Sequence, residues 1–176
     1  KVDQVNSQEL GLSGPGTGQG NDFFRLLVET SNQGILVHRD DKALYANQAL
    51  AKIYGYDSPA EILALESSLV FFPESDRSYR KSQHDKRLRR EVSEVEETSK
   101  GLKKNGDIIW VARRSFTIDW EGSTAVCSAR SDVTDLVNTE NAARENSEQY
   151  RALVEFSADA IFIHIDGEFV FANPAT

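Results

Sequence analysis

Residues 27–49 read LVETSNQGILVHRDDKALYANQA, and residues 153–175 of the same chain read LVEFSADAIFIHIDGEFVFANPA. Each residue of the first stretch corresponds to the residue 126 positions later, without a gap. Between residues 24–50 and 150–176, eleven of the 27 aligned pairs are identical. Chance is a poor explanation for so many matches, and the chain therefore contains an internal repeat.

The length of this repeat indicates whole domains in tandem. Solenoid repeats run about 20–50 residues, much less than the 126 found here. A chain of 176 residues accommodates one domain of usual size and a fragment of another. We therefore expect the second copy to be incomplete. The absence of methionine adds the expectation that the chain is processed or is a piece of a longer protein.

These observations divide the chain into four parts. Five of the eleven glycines fall within residues 1–20, among Ser, Gln and Asn, which is typical of a flexible linker. The predicted parts are a flexible tail over residues 1–22, a complete domain over 23–135, a connecting helix over 136–156, and the start of a second domain over 157–176.

Composition excludes several classes of function. The net charge of −8 argues against nucleic acid as the main partner, because phosphate binding requires clustered positive charge. No apolar run approaches the length of about 18 residues that a membrane span needs. A single cysteine, Cys127, excludes an internal disulfide and fits a reducing compartment, so we expect a cytoplasmic domain.

The order of elements predicts an α+β domain. A short helix precedes two strands joined at Asp40-Asp41; short helices follow, then a polar helix from Ser75 or Asp76 to about Glu94. Asn105-Gly106 is a strong hairpin signal, and Glu121-Gly122 is predicted to turn the chain into the last strand. The strand between them alternates with a period of two, which places Ile109, Val111, Arg113, Ser115 and Thr117 on one face and Ile108, Trp110, Ala112, Phe116 and Ile118 on the other. A helix starting at Ser58-Pro59 is predicted to end near Glu66. Sequential hairpins with the helices grouped together indicate a single antiparallel sheet.

The chain resembles PAS domains, the sensory modules common in bacterial signalling proteins. The resemblance rests on GILVHRDDKALYANQALAKIYGY (residues 34–56), LKKNGDIIWVARRSFTIDWEG (102–122) and SARSDVTD (128–135). The second segment is similar to the family's Lys-Asp-Gly hairpin, with Asn105 in place of Asp. The third is similar to its terminal Asp-Ile-Thr motif. The resemblance implies a five-stranded antiparallel sheet of order 2-1-5-4-3, helices over one face, often a small ligand between them, and a long signalling helix afterwards.

His84 raises the question of haem. It precedes Leu88 by four residues and shares with it one face of the polar helix. Oxygen-sensing kinases of this family bind haem iron through a histidine on this helix, so a haem gas sensor remains the alternative. The structural interpretation is an exposed or half-buried histidine on a polar helix, and we expect neither haem nor any other metal.

A ligand pocket beneath the helices is the second question. Small side chains on the last strands, Ala112 and Cys127 among them, leave space there unless large residues such as Trp110 fill it. The candidate pocket lining is therefore His84, Leu88, Trp110, Ala112 and Cys127. Flavin photosensors of the family carry a reactive cysteine in an Asn-Cys-Arg string that this chain lacks, so we expect no flavin and no covalently bound cofactor. His38 and the Lys86–Arg90 cluster are interpreted as structural and solvated, respectively.

The end of the domain carries the candidate signal relay. Asp132 and Thr134 occupy the positions of the family motif that ties the sheet to the outgoing helix. Within the 136–156 helix, Leu136, Ala143 and Tyr150 recur at intervals of seven, with Leu153 added, which predicts a thin coiled-coil seam and a homodimer.

No catalytic motif is present. We expect a non-catalytic sensory and dimerisation module whose output domain, a histidine kinase or a cyclic-di-GMP enzyme by family habit, lies downstream; the alternatives are a ligand-free interaction module and the haem sensor.

Overall fold

The structure is a computed structural model that describes residues 26–89, 91, 94–166 and 168–176. The predicted flexible tail over residues 1–22 lies outside this part of the chain. The described residues form two compact units, divided between Val133 and Thr134. In the described ranges, no helix is long and apolar enough to cross a membrane.

The first unit contains one antiparallel sheet of five strands. Its order is β2-β1-β5-β4-β3, which confirms the predicted α+β fold and the order 2-1-5-4-3. The strands are β1 (Gly34–Arg39), β2 (Lys42–Ala46), β3 (Glu94–Leu102), β4 (Ile108–Trp120) and β5 (Ser123–Asp132). β1 lies between β2 and β5, so the sheet joins the first hairpin directly to the last strand.

Four helical segments connect β2 to β3. They are α1 (Gln48–Tyr54), α2 (Pro59–Leu63), a 3-10 helix (Ser68–Phe71) and α3 (Glu74–Leu88). Leu50, Ile62 and Phe71 from these segments pack with Leu36 and Val111 of the sheet in one buried cluster. The helices therefore cover one face of the sheet, called here the inner face.

Two predicted helix ends were wrong. The helix predicted to reach Glu94 ends at Leu88, and Glu94 instead pairs with Phe116 in the β3–β4 ladder. The helix predicted to end near Glu66 ends at Leu63, because the chain turns into the 3-10 helix that inserts Phe71 into the core. In both places, tertiary packing overrides a polar sequence of good helix propensity.

The three predicted turns are confirmed by backbone angles in the left-handed region. Asp40 and Asp41 have φ of 47° and 61°, Glu121 and Gly122 have 53° and 76°, and Gly106 has 92°. Asn105 stabilises its turn through Oδ1, which accepts a hydrogen bond from the backbone N–H of Asp107 at 3.0 Å. These turns set the register of the three hairpins.

Asn47 connects four segments of the first unit through one buried side chain. Its Oδ1 accepts hydrogen bonds from the N–H groups of Ile35, at the start of β1, and Leu50, in the first turn of α1, at 2.8 and 3.0 Å. Its Nδ2 donates to the carbonyls of Val28 and Gln33 at 2.8 and 2.9 Å. Asn47 is fully buried, and its side chain therefore uses all its hydrogen-bonding groups in place of water.

The second unit repeats this arrangement. It consists of α4 (Thr134–Glu155) and a hairpin of β6 (Phe162–Ile165) and β7 (Glu168–Ala172). Asn173 Oδ1 accepts from Ile161 N–H at 2.8 Å, and its Nδ2 donates to the carbonyls of Val154 and Asp159 at 3.0 and 2.9 Å. The hairpins share a register shift before the histidine, between Val37 and His38 and between Ile163 and His164. The repeat seen in sequence is therefore a repeat of structure.

Replacing Asn47 with alanine should destabilise the first unit by roughly 2–4 kcal/mol, because a helix cap is lost and buried backbone groups lose their partners. Urea unfolding followed by tryptophan fluorescence measures this change, since Trp110 and Trp120 both lie in β4. Asn173→Ala is the matched control and should leave the same transition unchanged. Equal effects of the two substitutions would contradict this role of Asn47.

Candidate functional site

The inner face of the sheet carries charged side chains where an apolar pocket lining was expected. Alternation along β4 was predicted correctly, and Ile109, Val111, Arg113 and Ser115 are the buried positions. Their neighbours on β5 are set by the register, which pairs Arg113 with Arg130 and Ser115 with Ser128. Arg113 and Arg130 therefore lie side by side beneath the helices.

Three candidate pocket residues lie on the other face of the sheet. Trp110 and Ala112 alternate with the buried residues of β4, and Cys127 pairs with Phe116, which is exposed. The prediction that they line a pocket beneath the helices was wrong, because a period of two separates two faces without stating which one the helices cover. Burial raises the pKa of the Cys127 thiol to about 11, which makes it a poor nucleophile.

On α3 the structure brings one predicted residue to the cavity and adds others. His84 is buried and lines the cavity, whereas Leu88 is half-buried and does not. Arg80 and Arg87 point inward from the same helix, seven residues apart. The interpretation of the Lys86–Arg90 cluster as a solvated face was therefore wrong for Arg87.

The space enclosed by α3, the 3-10 helix and the inner face is about 350 Å³, of which part is open to solvent. Its enclosed part holds about one water molecule. Four guanidinium groups and two imidazoles line it, and these six residues are only 2–9 % exposed. The lining residues are His38, Asp41, Ser68, Leu69, Phe72, Arg80, His84, Arg87, Arg113, Ser115 and Arg130.

Glu97 bridges the helix to the sheet. Its Oε1 accepts a hydrogen bond from Arg80 Nη1 at 2.6 Å and a second one from Arg113 Nη2. Burial alone would raise the pKa of Glu97, but the hydrogen bond from Arg80 and the charge of Arg113 outweigh it and lower that pKa to about 2. Within the described residues, Glu97 is the one carboxylate bonded to any of the four buried arginines.

Phe72 provides further stabilisation for the buried charge. The guanidinium carbons of Arg113, Arg80 and Arg130 lie 4.8, 5.1 and 5.7 Å from the centre of its ring. Arg130 also donates hydrogen bonds to Tyr54 Oη at 3.1 Å and to Ser128 Oγ at 3.3 Å. Burial, then the charge of Arg130, lowers the pKa of Arg113 to about 10, so it stays charged at neutral pH.

The two histidines form a stacked pair. The ring centres of His38 and His84 are 4.5 Å apart, at an interplanar angle of 21°. His84 Nε2 accepts a long hydrogen bond, 3.5 Å, from the backbone N–H of Asp41. Burial, followed by the charges of His84 and the arginines, holds the pKa of His38 well below its ordinary value. Burial also lowers the pKa of His84, although Asp41 opposes this effect.

Several buried polar atoms around this space have no hydrogen-bond partner among the described residues. They include the Nε atoms of three arginines and the Nδ1 atoms of both histidines. The atoms are Arg80 Nε, Arg87 Nε, Arg113 Nε, His38 Nδ1, His84 Nδ1 and Asp41 Oδ1. Unpaired buried donors are rare in proteins, and five of these six belong to basic side chains.

The surroundings of His84 do not fit haem. Its ring is stacked on His38, its Nε2 faces the Asp41 backbone, and arginines occupy the adjacent space. An axial histidine needs an open position over a flat apolar pocket. Among the described residues, no three His, Cys, Asp or Glu side chains are grouped to bind a metal ion.

The candidate relay residues lie at the end of β5. Asp132 is the last residue of the strand, and its Oδ2 lies 3.7 Å from Lys103 Nζ, next to the β3–β4 hairpin. The N–H of Val133 donates to the carbonyl of Trp110 at 2.9 Å. Thr134 is the first residue of α4, only four positions after Arg130. The strand that lines the cavity thus continues into the outgoing helix.

Comparison with known families gives two matches on this chain. A sequence model described as PAS domain matches residues 32–137, and a second model with the same description matches residues 148–176. These ranges agree with the internal repeat. Curated proteins provide no significant match.

Solved structures show the same fold at low sequence identity. A PAS domain from Colwellia psychrerythraea is 15 % identical, with a TM-score of 0.59 over 66 % of this chain and 99 % of that one. A domain of a sensor histidine kinase/response regulator from Geobacter sulfurreducens is 20 % identical, with a TM-score of 0.54 over 64 % and 93 %. A PAS domain of a LuxR-family regulator from Burkholderia thailandensis, crystallised with ethanol, is 17 % identical, with a TM-score of 0.52 over 62 % and 96 %.

The stability of the first unit should fall as the pH decreases from about 8 to about 5.5. Unfolded histidines take up a proton near pH 6.5, whereas His38 and His84 have lowered pKa values in the fold, so the unfolded state binds more protons below that pH. The charged groups around the pair are Arg87, Arg113, Arg130, Asp40, Asp41 and Asp85.

Urea unfolding at a series of pH values measures this slope. The window lies above the range in which Glu97 titrates. His38→Asn should flatten the slope. The control is His164→Asn, which changes an exposed histidine of the second unit and should leave the slope unchanged. A slope that His38→Asn does not alter would contradict the prediction.

Proposed function

Because this chain belongs to the PAS domain family, we propose that its first unit is a sensory module that passes a signal from the cavity on the inner face to helix α4. One observation carries the proposal. β5 contributes Ser128 and Arg130 to the inner face and runs within four residues into a 22-residue helix. A ligand or partner that moves the end of β5 therefore moves the start of the helix.

Asp132 and Thr134 serve as the relay in this proposal. The Lys103–Asp132 ion pair and the Val133–Trp110 hydrogen bond attach the end of β5 to the other strands. Because both contacts lie at the base of α4, a shift of the sheet changes the direction in which the helix leaves. The module has no catalytic role in this proposal. An output domain, a histidine kinase or a cyclic-di-GMP enzyme, would respond to the movement of the helix. The Geobacter relative, named as a sensor histidine kinase/response regulator, supports the first choice.

Helix α4 is also proposed to form the dimer contact. No residue of the helix is buried, and its apolar residues Leu136, Tyr150 and Leu153 are 58–70 % exposed. With Ala143 they follow heptad spacing and form one stripe, interrupted at Asn146, that extends about 26 Å from Leu136 to Leu153 at 1.5 Å per residue. A polar helix with one apolar stripe is stabilised when the stripe packs against a second copy. The proposed location of the module is the cytoplasm.

A ligand-free interaction module is the second candidate. Tyr54, Phe71 and Phe72 fill much of the interior, and the enclosed space is small. In this case the charged groups stabilise the fold, and a protein partner delivers the signal to the surface.

The purified chain should be a dimer at tens of micromolar, and the double variant Leu136→Glu/Leu153→Glu should be a monomer, because like charges replace the apolar stripe. Sedimentation equilibrium or light scattering measures the mass, and tryptophan fluorescence verifies that the first unit remains folded.

The matched control is Asn138→Glu, a charge added at an exposed position of the same helix away from the stripe. It should leave the dimer intact. A wild-type monomer, or dissociation by the control variant to the same extent, would contradict a dimer through this stripe.

A further inference from the structure

We propose that the cavity between α3 and the inner face of the sheet binds a small organic carboxylate, held by the guanidinium groups of Arg87 and Arg113. The inference deepens the sensory role by naming the class of ligand, and it rests on that role only for the claim that the ligand is a signal. The binding site itself stands on the contacts described below.

The buried side chains around the cavity carry more positive than negative charge. Four arginines surround the space, and Glu97 is the only carboxylate among the described residues that is bonded to any of them. Asp41, the one acidic residue of the lining, is paired with Lys81 at 2.9 Å. Moving an unpaired charge out of water costs several kcal/mol. A carboxylate in the cavity would neutralise part of this excess.

Several buried nitrogen atoms around the cavity have no hydrogen-bond partner among the described residues. Arg87 Nε and Arg113 Nε are buried without a partner, as is Nδ1 of His84. Because the backbone N–H of Asp41 donates to Nε2 of His84, its Nδ1 is the atom that carries the proton in the neutral ring. The three atoms therefore donate hydrogen bonds, and an anion is the kind of ligand that accepts them without supplying a donor.

The shape and chemistry of the site favour an organic carboxylate. A guanidinium group is planar, and its fork matches the two oxygens of a carboxylate. Leu69 and Phe72 also line the space and provide apolar contact for a short carbon chain. Because the enclosed part is small, the ligand is a short one, and the long arginine side chains move aside to admit it. An inorganic ion would leave the apolar part of the lining without contact.

The proposed site joins α3 to the two strands that precede α4. Arg87 lies in the last turn of α3, Arg113 is on β4, and Arg130 is next to Arg113 on β5. A carboxylate between Arg87 and Arg113 would connect the helix to the sheet beside the Glu97 bridge. It would also screen Arg113 from Arg130, on the strand that leads to α4.

Calorimetric titration and thermal unfolding of the full 176-residue chain test the proposal. The probes are sodium acetate, malonate and succinate at pH 7, with sodium chloride and sodium phosphate at equal ionic strength. At least one carboxylate should bind saturably and raise the unfolding temperature more than chloride does. If none does, or if phosphate alone does, the carboxylate site is wrong.

Variants then locate the binding. Arg87→Gln should weaken binding by about tenfold or more, since a hydrogen bond to a charged group is lost, and Arg87 has no bond to Glu97 whose loss would disturb the fold. Arg114→Gln is the matched control; it lies one residue from Arg113 on the opposite face and should bind as the wild type does. Equal weakening by both variants would overturn the assignment.

Glu97→Gln provides a test that a merely damaged fold cannot imitate. Removing the competing carboxylate frees Arg80 and Arg113, so binding should become tighter. Unchanged or weaker binding, in a variant whose fluorescence shows a folded first unit, would overturn the proposal.

Amide exchange of residues 134–155, with and without saturating carboxylate, separates the claim that a carboxylate binds from the claim that its binding is relayed to α4. Binding with unchanged exchange would contradict the relay and leave the site standing.

Discussion

The hydrogen bonds of Asn47 hold the first unit together where its segments meet. One buried amide contacts the end of the N-terminal helical segment, the loop before β1, the start of β1 and the first turn of α1. No other side chain of similar size both donates twice and accepts twice. Three of these four contacts recur around Asn173 in the second unit, with distances that agree within about 0.2 Å. This constraint explains why the motif recurs almost unchanged while the side chains around it vary.

With the first hairpin held in this way, the inner face divides into an apolar and a charged region. Near α1 and α2 it packs Leu36, Ile109 and Val111 against the helices in an ordinary core. Near α3 it buries four arginines and two histidines, which a core does not do without compensation. Glu97 and the ring of Phe72 provide part of that compensation. The unpaired Nε atoms are the part that remains uncompensated, and the proposed carboxylate would supply their acceptor.

The sequence predicted the fold well, because the relevant signals are local. Asn105-Gly106, Glu121-Gly122 and Asp40-Asp41 need positive φ, and the alternation along β4 follows from the pleat. The strand order came from the family resemblance alone, because the local signals indicate hairpins and not how they are arranged in the sheet. The four arginines of the site were not identified from the sequence, because they are spread over 51 positions. The β4–β5 register brings Arg113 to Arg130, and the packing of α3 on the sheet brings Arg80 and Arg87 to them.

A signal for these arginines was nevertheless present. Arg113 and Ser115 were placed on the same face of β4 as Ile109 and Val111, and that face was the one with branched apolar residues. The helices need an apolar face to pack against, and this requirement identifies the face of Ile109 and Val111 as the inner one. Ala112 was chosen for the pocket because of its small size and Trp110 because of its bulk, but the size of a side chain does not indicate which face of the strand it occupies. His84 was found because oxygen sensors of the family carry a histidine on this helix and because it shares a helix face with Leu88.

The central claim is that the interior beneath α3 is a set of buried arginines with an acceptor missing. NMR of the arginine Nε–Hε groups tests it most directly. The Nε–Hε signals of Arg87 and Arg113 should exchange slowly with water and shift on titration with a short carboxylate, while that of Arg114, on the opposite face, should not. Rapid exchange of Arg87 and Arg113 with water, together with no shift at any carboxylate concentration, would contradict the account.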